Sequence, residues 1–277
     1  MGAVSDWVNI GDLSRFKAWM LAAAIAILGV TILDFMSFFD INDSRIPYRN
    51  SVLAWPRYML GGLMFGVGMT YASGCGNKVL IRVGGGNLKS LIVLFVAGLM
   101  AYIMTRTDFY GIVFHSWMNP ISLDLAKIGI LDQSLPTIVS SVFSITNSVY
   151  FNFIIGLTVS LTMIFLIFKS GKFIKNFDNV LSGFVVGSIV VFAWLLTGGS
   201  TGTEWIEAND FLDDPAPGVG VQSFTFINPM AETLIYFGNS ADSFYLTFGV
   251  SALLSVILGA FVYSIISNNF RIEWFST

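Results

Sequence analysis

Long apolar blocks separated by short polar segments dominate the sequence. Five of these blocks approach the roughly 20 residues that a helix needs to cross a hydrocarbon layer. They are residues 17–39, 88–105, 148–168, 179–198 and 245–267. A sixth apolar block, 53–74, contains Pro56 near its start and several glycines, which predicts a short or discontinuous helix. The pattern therefore predicts an all-α polytopic membrane bundle with at least one broken helix, in a single domain over residues 1–277.

The polar segments between the blocks predict the topology. Cytoplasmic loops carry an excess of Lys and Arg, so the lysine-rich segment 169–175 is expected inside. The stretch 199–244 carries acidic residues and neither Lys nor Arg, which predicts an external segment with a solvated loop at 204–214. The same alternation places Arg45 and Arg49 outside, against the usual distribution of positive charge.

Two external segments differ from simple loops because they mix aromatic residues with isolated polar ones. Segments 109–131 and 224–237 have the composition of short interfacial or re-entrant helices. His115 in the first segment could be a proton-linked gate or an interfacial anchor. Asp34 could be a functional acid within the membrane or a residue at its boundary.

The composition agrees with a membrane protein and excludes several other classes. The chain is 55% apolar and 11% charged, whereas soluble domains have about 25% charged residues. The net charge is −3 and no basic patch indicates a nucleic acid partner. One cysteine cannot form an intrachain disulfide, and one Cys with one His are too few for a metal site. No nucleotide-binding motif is present, so no cofactor is predicted.

The most unusual stretch, 61–87, carries the single cysteine, Cys75, between Gly74 and Gly76. In hydrocarbon, backbone polar groups must be satisfied within the protein, so this interruption fits only where protein surrounds it or where it lines a cavity. The start of a half-helix attracts anions, and a polarizable thiol suits a soft anion. Cys75 and the following Asn77 are therefore candidate contacts of a substrate pathway. The alternative for Cys75 is a small buried hydrophobic residue.

Glycines at fourth-residue spacing precede the cysteine. Gly62, Gly66 and Gly74 recur at spacings of four and eight, and Gly61 and Gly68 widen the stripe. Small residues at this spacing let helices approach closely, so packing is the expected role of the glycines. Arg82 could guide an anion at the inner mouth of a pathway or simply mark the cytoplasmic side.

The same stretch resembles the YeeE/YedE family of sulfur-compound membrane transporters, to which bacterial thiosulfate uptake proteins belong. The matching residues are Gly66, Gly68, Met69, Ser73, Gly74, Cys75, Gly76, Arg82, Gly84, Gly86, Asn87, Leu88, Lys89, Ser90 and Leu91. The first twelve residues and the segment 270–275 resemble parts of the family that adjoin two further cysteines. The resemblance implies a bundle with inverted-repeat character, in which short helices and cysteines meet at a central constriction.

The resemblance also implies a function, a location and partners. The expected protein is a transporter and not an enzyme, multi-pass in the bacterial plasma (inner) membrane, that imports thiosulfate through a cysteine-lined constriction. The expected pathway residues are Cys75, Gly74, Gly76, Asn77 and Arg82, and the expected motif glycines are Gly62, Gly66, Gly68, Gly84 and Gly86. The expected partners are a small anionic sulfur substrate, the lipid bilayer and a cytoplasmic TusA-like sulfur carrier protein.

Several alternatives remain open at this point. The substrate could be a selenium compound or another sulfur oxyanion. The protein could be a membrane sulfur-transfer enzyme with Cys75 as the acceptor, or a structural subunit whose glycines only pack helices. The resemblance further implies cysteines before Met1 and after Thr277, so we expect a reading frame that extends in both directions. The alternative is a natural variant that uses one thiol.

Overall fold

The computed structural model describes residues 2–44, 50–72, 74–169, 171–213, 215–216 and 218–275. The helices in this part of the chain are α1 (Gly2–Ile10), α2 (Ser14–Phe35), α3 (Trp55–Tyr71), α4 (Gly76–Gly84), α5 (Leu88–Arg106), α6 (Ser116–Met118), α7 (Leu135–Phe143), α8 (Val149–Phe168), α9 (Gly171–Ile174), α10 (Phe177–Gly198), α11 (Ser200–Asp210), α12 (Ile227–Gly238) and α13 (Phe248–Ile266). Strands β1 (Val52–Leu53) and β2 (Leu123–Asp124) pair antiparallel. The predicted all-α class is confirmed. Arg45, Arg49 and the motif residue Ser73 lie outside the described residues.

Among the described residues, five helices are long and apolar enough to cross a membrane: α2, α5, α8, α10 and α13. Each overlaps one of the five apolar blocks. Large apolar side chains such as Phe165 and Phe192 lie exposed on these helices, 67% and 60% accessible. Exposed aromatic side chains along long apolar helices suit a lipid environment, so the chain is a polytopic membrane protein.

Two elements bear on what the sequence predicts. Helix α3 runs without interruption from Trp55 to Tyr71, with Pro56 in its first turn, where a missing backbone N–H costs little. Of the two alternatives for 53–74, the structure therefore shows the short helix, of 17 residues, and the discontinuity follows Tyr71. The acidic run that begins at Glu204 is helical as far as Asp210 and is therefore not a simple loop.

The chain divides into two compact units, and the first comprises Met1–Leu53, Leu123–Ala208 and Gly220–Ser223. Within it, α2 packs against α8 and α10. Glycines of α10 allow this approach, because a Cβ at Gly183 or Gly187 would lie 2.8 Å from the carbonyl oxygen of Ala18 or Ala22, respectively. Small residues that bring two helices into backbone contact are a common device of membrane proteins.

The second unit comprises Ala54–Ser122, Asn209–Val219 and Phe224–Thr277. Helices α4, α5, α12 and α13 pack against one another in this unit. Leu80 of α4, Met230 of α12 and Leu253 of α13 form its buried apolar centre. The two short helices, α4 and α12, are thus held between two helices of membrane-spanning length.

Candidate functional site

The glycine-cysteine stretch forms a break between two helices of the second unit. Gly74 has φ +156, and Cys75 is extended with φ −76 and ψ 169. Cys75 occupies the N-cap position of α4, and its side chain makes no capping hydrogen bond. The expected interruption at Gly74–Gly76 is confirmed. Cys75 is half-buried and forms no disulfide.

Both glycines beside Cys75 permit close contacts. A Cβ at Gly74 would lie 2.6 Å from Cδ of Lys78, and a Cβ at Gly76 would lie 2.9 Å from Cε of Met230. The break is therefore enclosed by protein on the side of α12. The aliphatic part of Lys78 packs against Gly74, which places a cationic side chain in the first turn of α4. Sequence reasoning had not assigned Lys78 to the pathway.

Cys75 lies level with the middle of α5. Helix α4 has nine residues and α5 has 19, which correspond to about 13 Å and about 28 Å of helix. A short turn joins the two helices, and they pack against each other, so they run antiparallel. The backbone of Met230 lies against Gly98, halfway along α5, and the side chain of Met230 lies against Gly76. The start of α4 is therefore at half the depth of a helix of spanning length.

The other predicted pathway residues are distributed along α4. Asn77 is exposed in the first turn, next to the break. Arg82 is half-buried in the last turn. Arg82 follows Cys75 by seven positions, which corresponds to about 10 Å along a helix axis. The structure thus brings Gly74, Cys75, Gly76 and Asn77 together and places Arg82 at the opposite end of α4.

The motif glycines fall into two groups. Within the described part of the chain, no atom beyond the local helix lies within 4 Å of a Cβ built at Gly62, Gly66 or Gly68. The expected tight helix packing is therefore not observed at these three positions. By contrast, a Cβ at Gly84 would lie 2.5 Å from the Ile257 carbonyl oxygen. A Cβ at Gly86 would lie 2.5 Å from the Arg271 carbonyl oxygen.

The end of the motif also binds the C-terminal segment of the described chain. The Asn87 side chain accepts a hydrogen bond from the Ser90 backbone N–H, 2.9 Å, and so caps α5. Its amide nitrogen donates to the Glu273 carboxylate. The backbone N–H of Leu88 donates to the Glu273 carbonyl oxygen, 3.1 Å, and that of Glu273 donates to Gly86, 3.1 Å. These bonds connect two segments that both resemble family sequence.

A buried carboxylate, Glu232 of α12, lies in the same unit and was missed by sequence reasoning. It is 4% exposed. One oxygen accepts a hydrogen bond from the Asn228 amide and the other from the Thr247 hydroxyl, both at 2.7 Å. A guanidinium nitrogen of Arg106 lies 3.8 Å from the first oxygen. The only signal in the sequence is the spacing of Asn228 and Glu232, which places both on one helix face.

Asp34 and His115 occupy different environments. Asp34 accepts a hydrogen bond from the Ile41 N–H, 3.0 Å, and lines a cavity of about 740 Å³ in the first unit. His115 ends a five-residue π-helical turn in the second unit and lies exposed, with its ring centroid 6.2 Å from that of Tyr110. In the described ranges, no group of three or more His, Cys, Asp or Glu side chains is placed to hold a metal ion.

Helices of spanning length and a half-length helix with a thiol at its start define a polytopic membrane protein with a discontinuous helix, the arrangement in which transporters hold substrates. A family model described as sulphur transport matches residues 1–277, so the chain belongs to the sulphur transport family. The family resemblance of the glycine-cysteine stretch is confirmed. The chain is also similar to the thiosulfate transporter TsuA of Escherichia coli (strain K12), at 22% identity over 289 residues, 98% of this chain and 70% of that protein.

Proposed function

We propose that this protein imports a small sulfur-containing anion, thiosulfate, across the bacterial plasma membrane, and that Cys75 contacts the anion at a constriction. The observation that carries the proposal is the position of Cys75, a thiol without a capping bond at the start of a half-length helix. Membership of the sulphur transport family supports the class of function. The similarity to a thiosulfate transporter supports the substrate.

The arrangement offers the anion several weak attractions. The first backbone N–H groups of a helix lack partners within the helix and carry a partial positive charge. The Cys75 side chain makes no capping hydrogen bond to these groups. The thiol adds an S–H donor and a polarizable sulfur, which match the terminal sulfur of thiosulfate. Several weak contacts let an anion bind and also leave, as conduction requires.

The remaining pathway residues extend this scheme along α4. Asn77 and Lys78, exposed in the first turn, supply an amide and a positive charge near the thiol. Arg82 would be a second electrostatic contact about 10 Å further along the helix. On the cytoplasmic side, a TusA-like sulfur carrier would receive the imported sulfur compound. A selenium compound or another sulfur oxyanion shares the charge and softness of thiosulfate and is the alternative substrate.

The test is uptake of labelled thiosulfate by the full chain in liposomes. We expect Cys75→Ala to lower uptake at least tenfold without loss of folded protein, because one of the few contacts that favour the anion is removed. The matched control is Thr70→Ala, since the Thr70 hydroxyl bonds to its own helix at Gly66 and is exposed. Wild-type uptake by Cys75→Ala would overturn the proposal.

The same preparation separates the alternatives. Unlabelled thiosulfate should compete with the label more strongly than sulfite, sulfate or selenate, and a stronger effect of selenate would reassign the substrate. A persulfide on Cys75 that forms during turnover would instead support a sulfur-transfer enzyme. Mass spectrometry of the peptide that contains Cys75 detects that modification, and its absence during active uptake supports a non-covalent contact.

A further inference from the structure

We propose that Glu232 is a positioning residue for the Cys75 site. Its buried carboxylate fixes α12, and α12 in turn sets the position of the first turn of α4 through Met230. The importance of this role for transport rests on the proposed function, whereas the positioning itself can be measured without any transport.

The first step of the argument is that one carboxylate joins three helices. Glu232 belongs to α12, Thr247 caps α13 and Arg106 ends α5. The Thr247 hydroxyl donates to Glu232 and accepts from the Val250 N–H, 3.2 Å, so it connects the carboxylate to the first turn of α13. Both carboxylate oxygens accept hydrogen bonds, the arrangement that suits an ionised carboxylate. An anion at the start of a helix is also favoured by the helix dipole.

The second step is that the surroundings leave the carboxylate little freedom to move. A Cβ at Gly218 would lie 2.6 Å from one carboxylate oxygen, and a Cβ at Gly249 would lie 3.2 Å from the other. Gly218 also has φ +98, a conformation that favours glycine. A buried charge is tolerated only where its partners are held in place, so this pocket fixes both the depth and the rotation of α12.

The third step is the contact between α12 and the helix break. Met230 precedes Glu232 by two residues and is 3% exposed. A Cβ added at Gly76 would lie only 2.9 Å from the Met230 Cε. The carbonyl oxygen of Met230 lies against Gly98 of α5. Gly76 directly follows Cys75. Because a helix moves as a rigid element, a shift of α12 at Glu232 displaces Met230 and changes the space around the thiol.

Cys75 itself reports on this positioning, because it is the only cysteine in the chain. N-ethylmaleimide therefore labels a single position, and its rate of reaction measures access to the thiol. The full chain in detergent micelles is compared with Glu232→Gln, which removes the charge with almost no change of shape, and with Asn228→Ala, which removes one donor. We expect the labelling rate to change about tenfold or more, the factor that corresponds to loss of a hydrogen bond to a charged group.

Two matched controls separate positioning from general destabilisation. Asn239→Ala removes an amide at the other end of α12, where the side chain donates a hydrogen bond to the Ile235 carbonyl oxygen. Thr247→Ser keeps the hydroxyl that binds Glu232. Both controls should retain the wild-type labelling rate. If Glu232 had a purely structural role, Glu232→Gln and Asn228→Ala would unfold at a lower temperature, and the labelling rate of Cys75 in the folded protein would not change.

The outcomes also separate this inference from the proposed function. Wild-type labelling in folded Glu232→Gln and in folded Asn228→Ala would overturn the positioning role and leave Cys75 as a transport contact. Wild-type uptake by Cys75→Ala would overturn the proposed function and leave the labelling result intact. Should Glu232→Gln fail to fold, Asn228→Ala alone decides, because it leaves the Glu232 charge with Thr247 and Arg106.

Discussion

The two ends of the glycine-rich stretch use the same residue type for opposite reasons. In α3, a Cβ added at Gly62 or Gly66 would have no described atom outside the local helix within 4 Å. At the end of α4, Gly84 lies so close to α13 that a Cβ would be 2.5 Å from the Ile257 carbonyl oxygen. Regular spacing therefore does not identify the glycines that bring helices together.

The glycines of α10 strengthen this lesson. Gly183 and Gly187 also have fourth-residue spacing, and both lie against backbone oxygens of α2. The same sequence pattern thus marks a tight interface in the first unit and an open helix face in α3. What decides between them is the presence of a second helix, which small-residue spacing permits but does not supply.

The largest effect on the stability of the folded protein is expected for Gly84→Ala. The added methyl would meet the Ile257 carbonyl oxygen at 2.5 Å and the Ala260 Cβ at 2.6 Å, and neither belongs to a flexible side chain. Overpacking of this kind costs about 1–3 kcal/mol, which thermal unfolding in detergent would detect. The control is Gly85→Ala, where the nearest atom is 3.5 Å away. Equal unfolding midpoints for the two variants would contradict the contrast.

A smaller effect is expected for Asn87→Ala. This change removes the N-cap of α5 and the bond to Glu273, and loss of a cap costs about 1 kcal/mol. Thermal unfolding should show a lower midpoint. Asn87→Ser keeps a capping hydroxyl and loses the longer reach to Glu273, so it should recover most of the stability. An Asn87→Ser variant as unstable as Asn87→Ala would assign the effect to the C-terminal segment instead.

The smallest effect, with the opposite sign, is expected for Gly66→Ala. Alanine favours a helix interior over glycine by about 1 kcal/mol, and no described atom outside the local helix would meet the methyl. The unfolding midpoint should therefore stay constant or rise slightly. The control is Gly98→Ala in α5, where the methyl would lie 3.1 Å from the Met230 carbonyl oxygen and should cancel the gain. A fall in stability for Gly66→Ala would show that another helix covers this face of α3.

The sequence predicts features that depend on local chemistry. The helix break at Gly74–Gly76 follows from residues that favour neither helix continuation nor lipid exposure, and the structure places it there. The five long helices follow from apolar length alone. Cys75 lies at the N-cap position of α4, directly after Gly74, whose φ is +156.

Features that depend on distant partners could not be predicted in this way. Glu232 resembles the other acidic residues of 199–244, and its burial depends on Arg106 and Thr247, which the sequence does not connect to it. The acidic residues of α11 lack the apolar periodicity that indicates a helix, so a loop was expected there. The open face of α3 is a further example, since spacing alone cannot show whether a neighbouring helix is present.

The half-length of α4 has an electrical consequence. Because Cys75 lies level with the middle of α5, an anion beside it would have crossed about half of the membrane potential. Moving one charge through 100 mV costs about 2.3 kcal/mol. A doubly charged anion that enters a cell with a negative interior would therefore spend about 2 kcal/mol in reaching the thiol. For the proposed import, the contacts at the start of α4 must offset an opposing field that a site at the membrane surface would not experience.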